Sequence, residues 1–340
     1  MRTRASISRL LIAAALRAIV AGAMLAQVPQ PELTLMAKDR LFPLAGAGVR
    51  GIKGGPDGRY YVLTAHSVIV FLADGTKVAE ISTSPAKGSK AEGLSFAEAF
   101  DVGRDGRIYV ADHGANTLRV FSPEGAPLLN IQFPSPTGIV ALSGGEFAAT
   151  TSTAEHLISV YDLKGAEIRT FCDPVDLAKT PEINQYLSIA RLATDAASDI
   201  YLAYTFYPEP TVRKYDRSGF ATTELVLDAI DFAPAAQAIR REMKRQDAKG
   251  EPLHLDHQRI SAIGVDPEAQ SVWLTIGDEL LRFDRDGKYL MRYTLYMPDG
   301  SHFDPNYIFV EHDRLILSTD SQGIYEFSRP DRDPALAPPK

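Results

Sequence analysis

Histidine is the side chain best suited to hold a metal or move a proton near neutral pH. The sequence has seven: His66, His113, His156, His254, His257, His302 and His312. The run His254-x-Asp256-His257 has the donor types of a metal site, yet it is short and no matching second half follows it. His113, His254 and His257 are accordingly weak candidate metal ligands. No cofactor is the first expectation, and Ca or Zn are the ions to consider otherwise. A single cysteine, Cys172, can form neither an internal disulfide nor a cysteine-based metal cluster. Its plainer role is that of a small side chain in a connection between strands. The sequence contains no P-loop, Gly-x-Ser-x-Gly elbow, His-Glu-x-x-His pair or dinucleotide fingerprint. Any chemistry must therefore be assembled from residues far apart in the chain.

What would bring them together is a recurring unit of strands and turns. Its clearest copy runs Phe100-Asp101-Val102, Asp105-Gly106, Arg107-Ile108-Tyr109-Val110-Ala111-Asp112, Asn116, Leu118-Arg119-Val120-Phe121 and Glu124-Gly125. This reads as strand, tight turn, strand, loop, strand, tight turn, strand, because Asp-Gly between β-rich runs supplies the positive φ of a hairpin turn. The third strand ends in an aromatic residue at Phe71, Phe121, Tyr161, Tyr215, Phe283 and Phe327. A glycine follows four residues after the first five of these: Gly75, Gly125, Gly165, Gly219 and Gly287. The second strand recurs as Tyr60-Tyr61-Val62, Ile108-Tyr109-Val110, Ile200-Tyr201-Leu202 and Val272-Trp273-Leu274, with weaker copies at Phe147-Ala148-Ala149 and Leu315-Ile316-Leu317.

In Ile108-Tyr109-Val110-Ala111-Asp112, Asn116 and Arg119-Val120-Phe121, the chain resembles the NHL-repeat β-propellers. The resemblance spans about residues 33–328 and implies a fold more firmly than an activity. The expected architecture is all-β: a six-bladed β-propeller of four-stranded antiparallel blades over residues 27–328. Spacings between the aromatic anchors are 50, 40, 54, 68 and 44 residues, against about 40–50 for one blade, so two gaps carry insertions. The last unit lacks a fourth strand. Leu33-Thr34-Leu35-Met36 has strand character and no unit of its own, and is expected to close the ring as the outer strand of the sixth blade. Residues 329–340 read as a disordered Pro-rich tail.

In such a unit the first and third turns lie on one face, and the second loop and the connection to the next unit lie on the other. The tight turns fall on the first face; the longer insertions, at about 84–96, 172–188, 221–259 and 296–305, fall on the second. Long loops on a rigid scaffold are where binding and chemistry concentrate. His66, His113, His156, His254, His257 and His302 share that face, whereas His312 sits near a tight turn. Two readings stay open: polar residues simply favour loops, or some of these histidines converge near the channel mouth. Arg50, Glu98 and Arg191 stand near the start of innermost strands, placed either to line the channel or to satisfy one another. Asp112 and Asn116 read as caps for their own loop. A helical insertion is expected at about 228–258, between the fourth and fifth blades. Pro234 suits its first turn, Phe232, Ala235, Ala236, Ile239 and Met243 form its apolar stripe, and Gly250 ends it. Arg240, Arg241, Lys244 and Arg245 give it a basic face, either solvated or turned to an acidic partner or membrane headgroups.

At the N-terminus a basic Met1–Arg9 precedes an apolar stretch to Ala26, interrupted by Arg17, with small residues at Ala21-Gly22-Ala23. That order is a secretory signal over 1–26, cleaved or retained as an anchor, and places the protein in the periplasm or outside the cell. Its removal deletes four arginines and no acid, taking the net charge from −7 to −11. An acidic body argues against nucleic acid as a partner. The functional expectation is a monomeric, non-enzymatic scaffold binding a small molecule, glycan, peptide or protein on the long-loop face. The alternative is a metal-dependent hydrolase or lyase with its ion at the channel mouth; propellers of the gluconolactonase and amidating-lyase kinds, which the fold resembles, bind a metal there.

Overall fold

The computed structural model describes residues 33–82, 93–227, 232–268 and 270–332. The signal segment 1–26, most of the first long insertion, the start of the helical insertion and residues 333–340 lie outside them. Four antiparallel sheets of four strands follow one another along the chain, over residues 49–81, 97–132, 136–171 and 190–226. An eight-stranded sheet takes in the rest of the chain, residues 262–296 and 307–328, together with strand Leu33–Leu41. Each first strand contacts the first strand of the next unit, and Tyr307–Val310 contacts Val49–Gly54, so the innermost strands surround one axis. This is the arrangement of a β-propeller.

Burial explains why the units read as they do. The second and third strands of the second sheet, Ile108–Asp112 and Thr117–Phe121, are buried at every position. Neighbouring sheets cover both their faces, and a strand covered twice needs continuous rather than alternating apolarity. The outer strand Pro127–Gln132 keeps solvent on one side, and its exposure alternates.

The recurring third-turn glycine answers to two constraints. Gly75, Gly125, Gly165, Gly219 and Gly287 all have φ between 80° and 92°. Four of them also press against the outer strand of the preceding sheet. A Cβ added at Gly125 would lie 2.9 Å from Ile81, at Gly165 3.1 Å from Ile131, at Gly219 2.6 Å from Phe171 and at Gly287 3.3 Å from Leu225. The turn is thus a docking point between units as well as a hairpin.

Two features gather at the chain's ends. Strand Leu33–Leu41 pairs antiparallel with Gly323–Ser328, placing Ala37 opposite Phe327 and Leu41 opposite Ile324. In the sheet order it lies between Gly323–Ser328 and Tyr289–Tyr296. The expected tail, by contrast, does not begin at Arg329. That side chain is fully buried, pairs with Asp266, and reaches Asp331 at 2.9 Å and the Glu311 carbonyl at 2.7 Å. A guanidinium can be buried there because carboxylates and carbonyls take its donors.

The helical insertion forms helix α2 (Ala233–Lys249), with Pro234 in its first turn, Ala236, Ile239 and Met243 buried, and Gly250 closing it at φ 67°. A shorter helix, α1 (Pro181–Leu187), lies in the 172–188 insertion, where the sequence pattern was too short to show it. Among the described residues no helix is long and apolar enough to cross a membrane.

Two stability predictions follow from this packing. Gly75 has φ 85° but nothing within 4 Å of a Cβ, so Gly75→Ala is expected to cost about 1–2 kcal/mol for φ alone. Gly219→Ala adds a clash with Phe171 and is expected to cost a further ~1–3 kcal/mol in urea denaturation; equal losses would mean that docking adds nothing. Arg329→Ala leaves Asp266 buried without its cation and is expected to cost about 3–5 kcal/mol. Arg329→Lys should not rescue it, since one ammonium cannot reach both carboxylates and the carbonyl.

Candidate functional site

The innermost strands leave a narrow cleft that opens to solvent. Its walls include Phe100, Ile139, Val140, Leu192 and Ile263, and its polar lining is Arg50, Lys53, Glu98, Thr137, Arg191 and Tyr307. Arg50, Glu98, Thr137 and Arg191 are each the second residue of their inner strand. Those strands start on the long-loop face, so the four lie near that mouth. In the first three sheets the pairing register slips at this position, between Val49 and Gly51, Ala97 and Ala99, and Pro136 and Gly138. Arg50, Glu98 and Thr137 are therefore the extra residues of β-bulges, which re-aim a side chain without breaking the sheet. Arg191 reaches the cleft from a regular strand.

The charges in the cleft are unequally matched. Arg50 Nη1 lies 2.7 Å from Glu98 Oε2, and its guanidinium stacks 4.0 Å from the centre of the Phe96 ring. Asp112 in turn fixes Phe96: this buried carboxylate accepts the N–H groups of Ser95 at 3.0 Å and Phe96 at 2.9 Å. Deeper in, Lys53 Nζ lies 3.1 Å from Asp101, whose other oxygen accepts the Ala141 N–H at 2.9 Å. Burial by itself would lower the Lys53 ammonium, but Asp101 and the Tyr307 hydroxyl outweigh it and hold its pKa above the usual value. Burial also raises the Tyr307 phenol. Arg191 differs from the other two cations. It makes no ion pair or hydrogen bond with any described residue, and its Nε is buried without a partner. Burial lowers its pKa, while Glu98 and Asp320 act on it through space to sustain the charge.

The structure thus brings together Arg50, Glu98 and Arg191, the three charged residues expected at the channel, and adds Lys53, Asp101, Thr137 and Tyr307. Strand alternation could not place Lys53 and Asp101, because the bulge before each shifts the inward phase of the residues after it.

The histidines are distributed differently. His66 Nδ1 lies 3.4 Å from the Leu94 carbonyl and His113 Nδ1 3.2 Å from that of Pro136. His156 meets Asp173 at 3.3 Å, His302 pairs with Asp278 and packs on Tyr296, and His312 meets Glu268 at 3.0 Å. His254 packs edge-on to Tyr186, and His257 acts electrostatically on Asp304. Burial and the charge of Asp278 raise the Asp304 carboxyl, with His257 opposing. None of these histidines lines the cleft. Among the described residues no three His, Cys, Asp or Glu side chains are grouped to hold a metal ion. Cys172 is buried, its Sγ 3.8 Å from the Tyr204 hydroxyl, and burial pushes the thiol up, away from the reactive thiolate. Asn116 sits at φ 53° and accepts the Ser135 N–H at 2.8 Å, so it organises its own loop.

Two insertions on the long-loop face fold against each other. Asp247 on α2 accepts the Thr180 N–H at 2.8 Å and its hydroxyl at 2.9 Å, and Ile183, Leu187, Met243 and Leu253 share one apolar cluster. Arg240 from the basic face is taken by Glu209, at 2.7 and 2.6 Å, and Arg245 is taken by Glu242. Arg241 and Lys244 remain exposed.

No protein family model matches the chain, and no curated protein matches it by sequence. Solved structures do resemble it in fold. A streptogramin B lyase is 12% identical over 83% of this chain and 93% of its own, with a TM-score of 0.54. The virginiamycin B lyase from Staphylococcus aureus is 12% identical over 83% and 95%, at 0.53. The WD40 repeats of RRP9 are 10% identical over 89% and 99%, also at 0.53. At such identities the likeness shows the β-propeller fold alone.

The clamp between α2 and the propeller predicts a pH dependence. Hydrogen bonds from Arg240 hold the Glu209 carboxyl below its usual 4.5. A carboxylate depressed in the folded state stabilises it at neutral pH, and that contribution is lost as pH falls through the folded value. Glu209→Gln is expected to be less stable than the parent at pH 7, the gap closing as the pH drops well below 4.5. Urea denaturation across that range checks it, and an unchanging gap would deny the ion pair its role.

Proposed function

We propose that this protein is an exported, six-bladed propeller of the NHL kind, its ring closed by strand Leu33–Leu41, that binds a ligand at the long-loop mouth of its axial cleft without transforming it. One observation carries the reading: three successive inner strands bulge at the same position, turning Arg50, Glu98 and Thr137 into the cleft. Bulges cost ladder hydrogen bonds, and their repetition at one mouth marks a recognition surface. The cleft walls mix apolar side chains with convergent charged and hydroxyl groups, which suits a small polar ligand. Phe96, 37% exposed at the rim, adds an aromatic surface for the ligand body.

A metal-dependent hydrolase or lyase would need several histidine or carboxylate groups converging on one point. The groups at this mouth are arginines, one carboxylate already paired, and hydroxyls, which suit orientation and charge recognition.

The test combines two measurements on the mature protein. Small acids, sugars and peptides are screened by thermal shift, and bound material is recovered for mass spectrometry; the expected result is a ligand returned unchanged. Elemental analysis is run on the parent and on His113→Ala, with no stoichiometric metal expected in either. Conversion of the ligand, or one equivalent of metal lost in the variant, would replace this reading with the enzymatic one.

A further inference from the structure

We infer that the group recognised at this mouth is the carboxylate of a small organic acid, with Arg191 as its principal donor and Arg50 as its neighbour. The inference rests on the ligand-binding reading above and names the chemistry of that site.

The argument is one of unmatched donors in a cleft where the other charges are matched. Lys53 is committed to Asp101 at 3.1 Å and Arg50 to Glu98 at 2.7 Å. Arg191 lines the same cleft with its Nε buried and no acceptor among the described residues. Buried polar groups are otherwise almost always partnered, and a guanidinium stays charged when its surroundings disfavour it. With no acceptor among the described residues, a ligand from outside can supply one. A carboxylate fits better than phosphate on two counts. Guanidinium binds a carboxylate through two parallel N–H···O bonds. The nearby Glu98 and Asp320 also repel a dianion more than a monoanion, and one uncommitted cation balances one negative charge. Arg50 meets Glu98 through one nitrogen while its plane lies on Phe96, so it can share its remaining donors with a ligand beside Arg191. The apolar walls lower the local dielectric and strengthen each of these bonds.

The test uses sodium butyrate and sodium benzoate as probes, butyramide and benzamide as uncharged counterparts, and potassium phosphate as the dianion, all at constant ionic strength. The two carboxylates are expected to raise Tm saturably, by ~3–5 °C near a hundredfold excess over Kd. The amides and phosphate should not, Arg191→Gln should abolish the effect, and Arg245→Gln on the exposed side of α2 should keep it. Because Arg191 has no partner to strand among the described residues, Arg191→Met should be at least as stable as the parent in probe-free buffer. The inference is overturned by no saturable rise with either carboxylate, an equal rise with amides or in Arg191→Gln, a rise with phosphate alone, or unfolding of the Arg191 variants. Amide binding that survives Arg191→Gln would remove the carboxylate and leave the ligand-binding reading standing. That reading falls only on turnover or on stoichiometric metal.

Discussion

The second strand of each unit is buried almost throughout, and the rest of the molecule follows from that. A strand such as Ile108–Asp112, buried at every residue, must be covered on both sides. No single sheet can do this for itself, so each unit needs a neighbour before and after it. A linear stack would leave two terminal units half covered; contact between Tyr307–Val310 and Val49–Gly54 removes both ends. The third-turn glycines follow from the same demand. With no Cβ, four of them let their turns sit directly against the outer strand of the preceding sheet, as Gly219 does on Phe171.

Once the units surround an axis, the inner strands face a space they cannot fill. Their side chains converge there from different parts of the chain, and that convergence creates the site. It also sets an electrostatic problem, because charges gathered in a narrow cleft, partly out of water, are costly unless matched. The pairs Arg50 with Glu98 and Lys53 with Asp101 join neighbouring units and answer it twice. Among the described residues Arg191 is left without such a match. Asp112 shows how far the support extends: by holding the Ser95 and Phe96 backbone it sets the ring on which Arg50 rests.

The insertions obey a different logic. Helices α1 and α2 come from separate connections, yet Asp247, Thr180 and a shared apolar cluster bind them into one body. Arg240 clamps that body to the 205–210 loop through Glu209. Half of the basic face read along α2 is thereby spent on internal pairs, with Arg241 and Lys244 outside any ion pair among the described residues.

The sequence by itself determined the repeating unit, because burial on both faces and positive-φ turns are local demands that leave local marks. The aromatic anchors, the glycine four residues beyond them, and the stripe Ala236, Ile239 and Met243 are all such marks. Arg50, Glu98 and Arg191 could be placed at the start of inner strands, to line the channel or to satisfy one another; all three border the cleft, and the first two pair. What only the tertiary structure decided was anything depending on register or on partners distant in sequence. The bulges at Arg50, Glu98 and Thr137 leave no local signature, since they are defined by the strand opposite. The burial of Arg329 could not be read from a Pro-rich terminus, because two of its partners, Asp266 and the Glu311 carbonyl, lie farther off in the chain. The dispersal of the histidines was equally hidden: sequence can place residues on one face, but convergence on a point requires side-chain directions that packing alone sets.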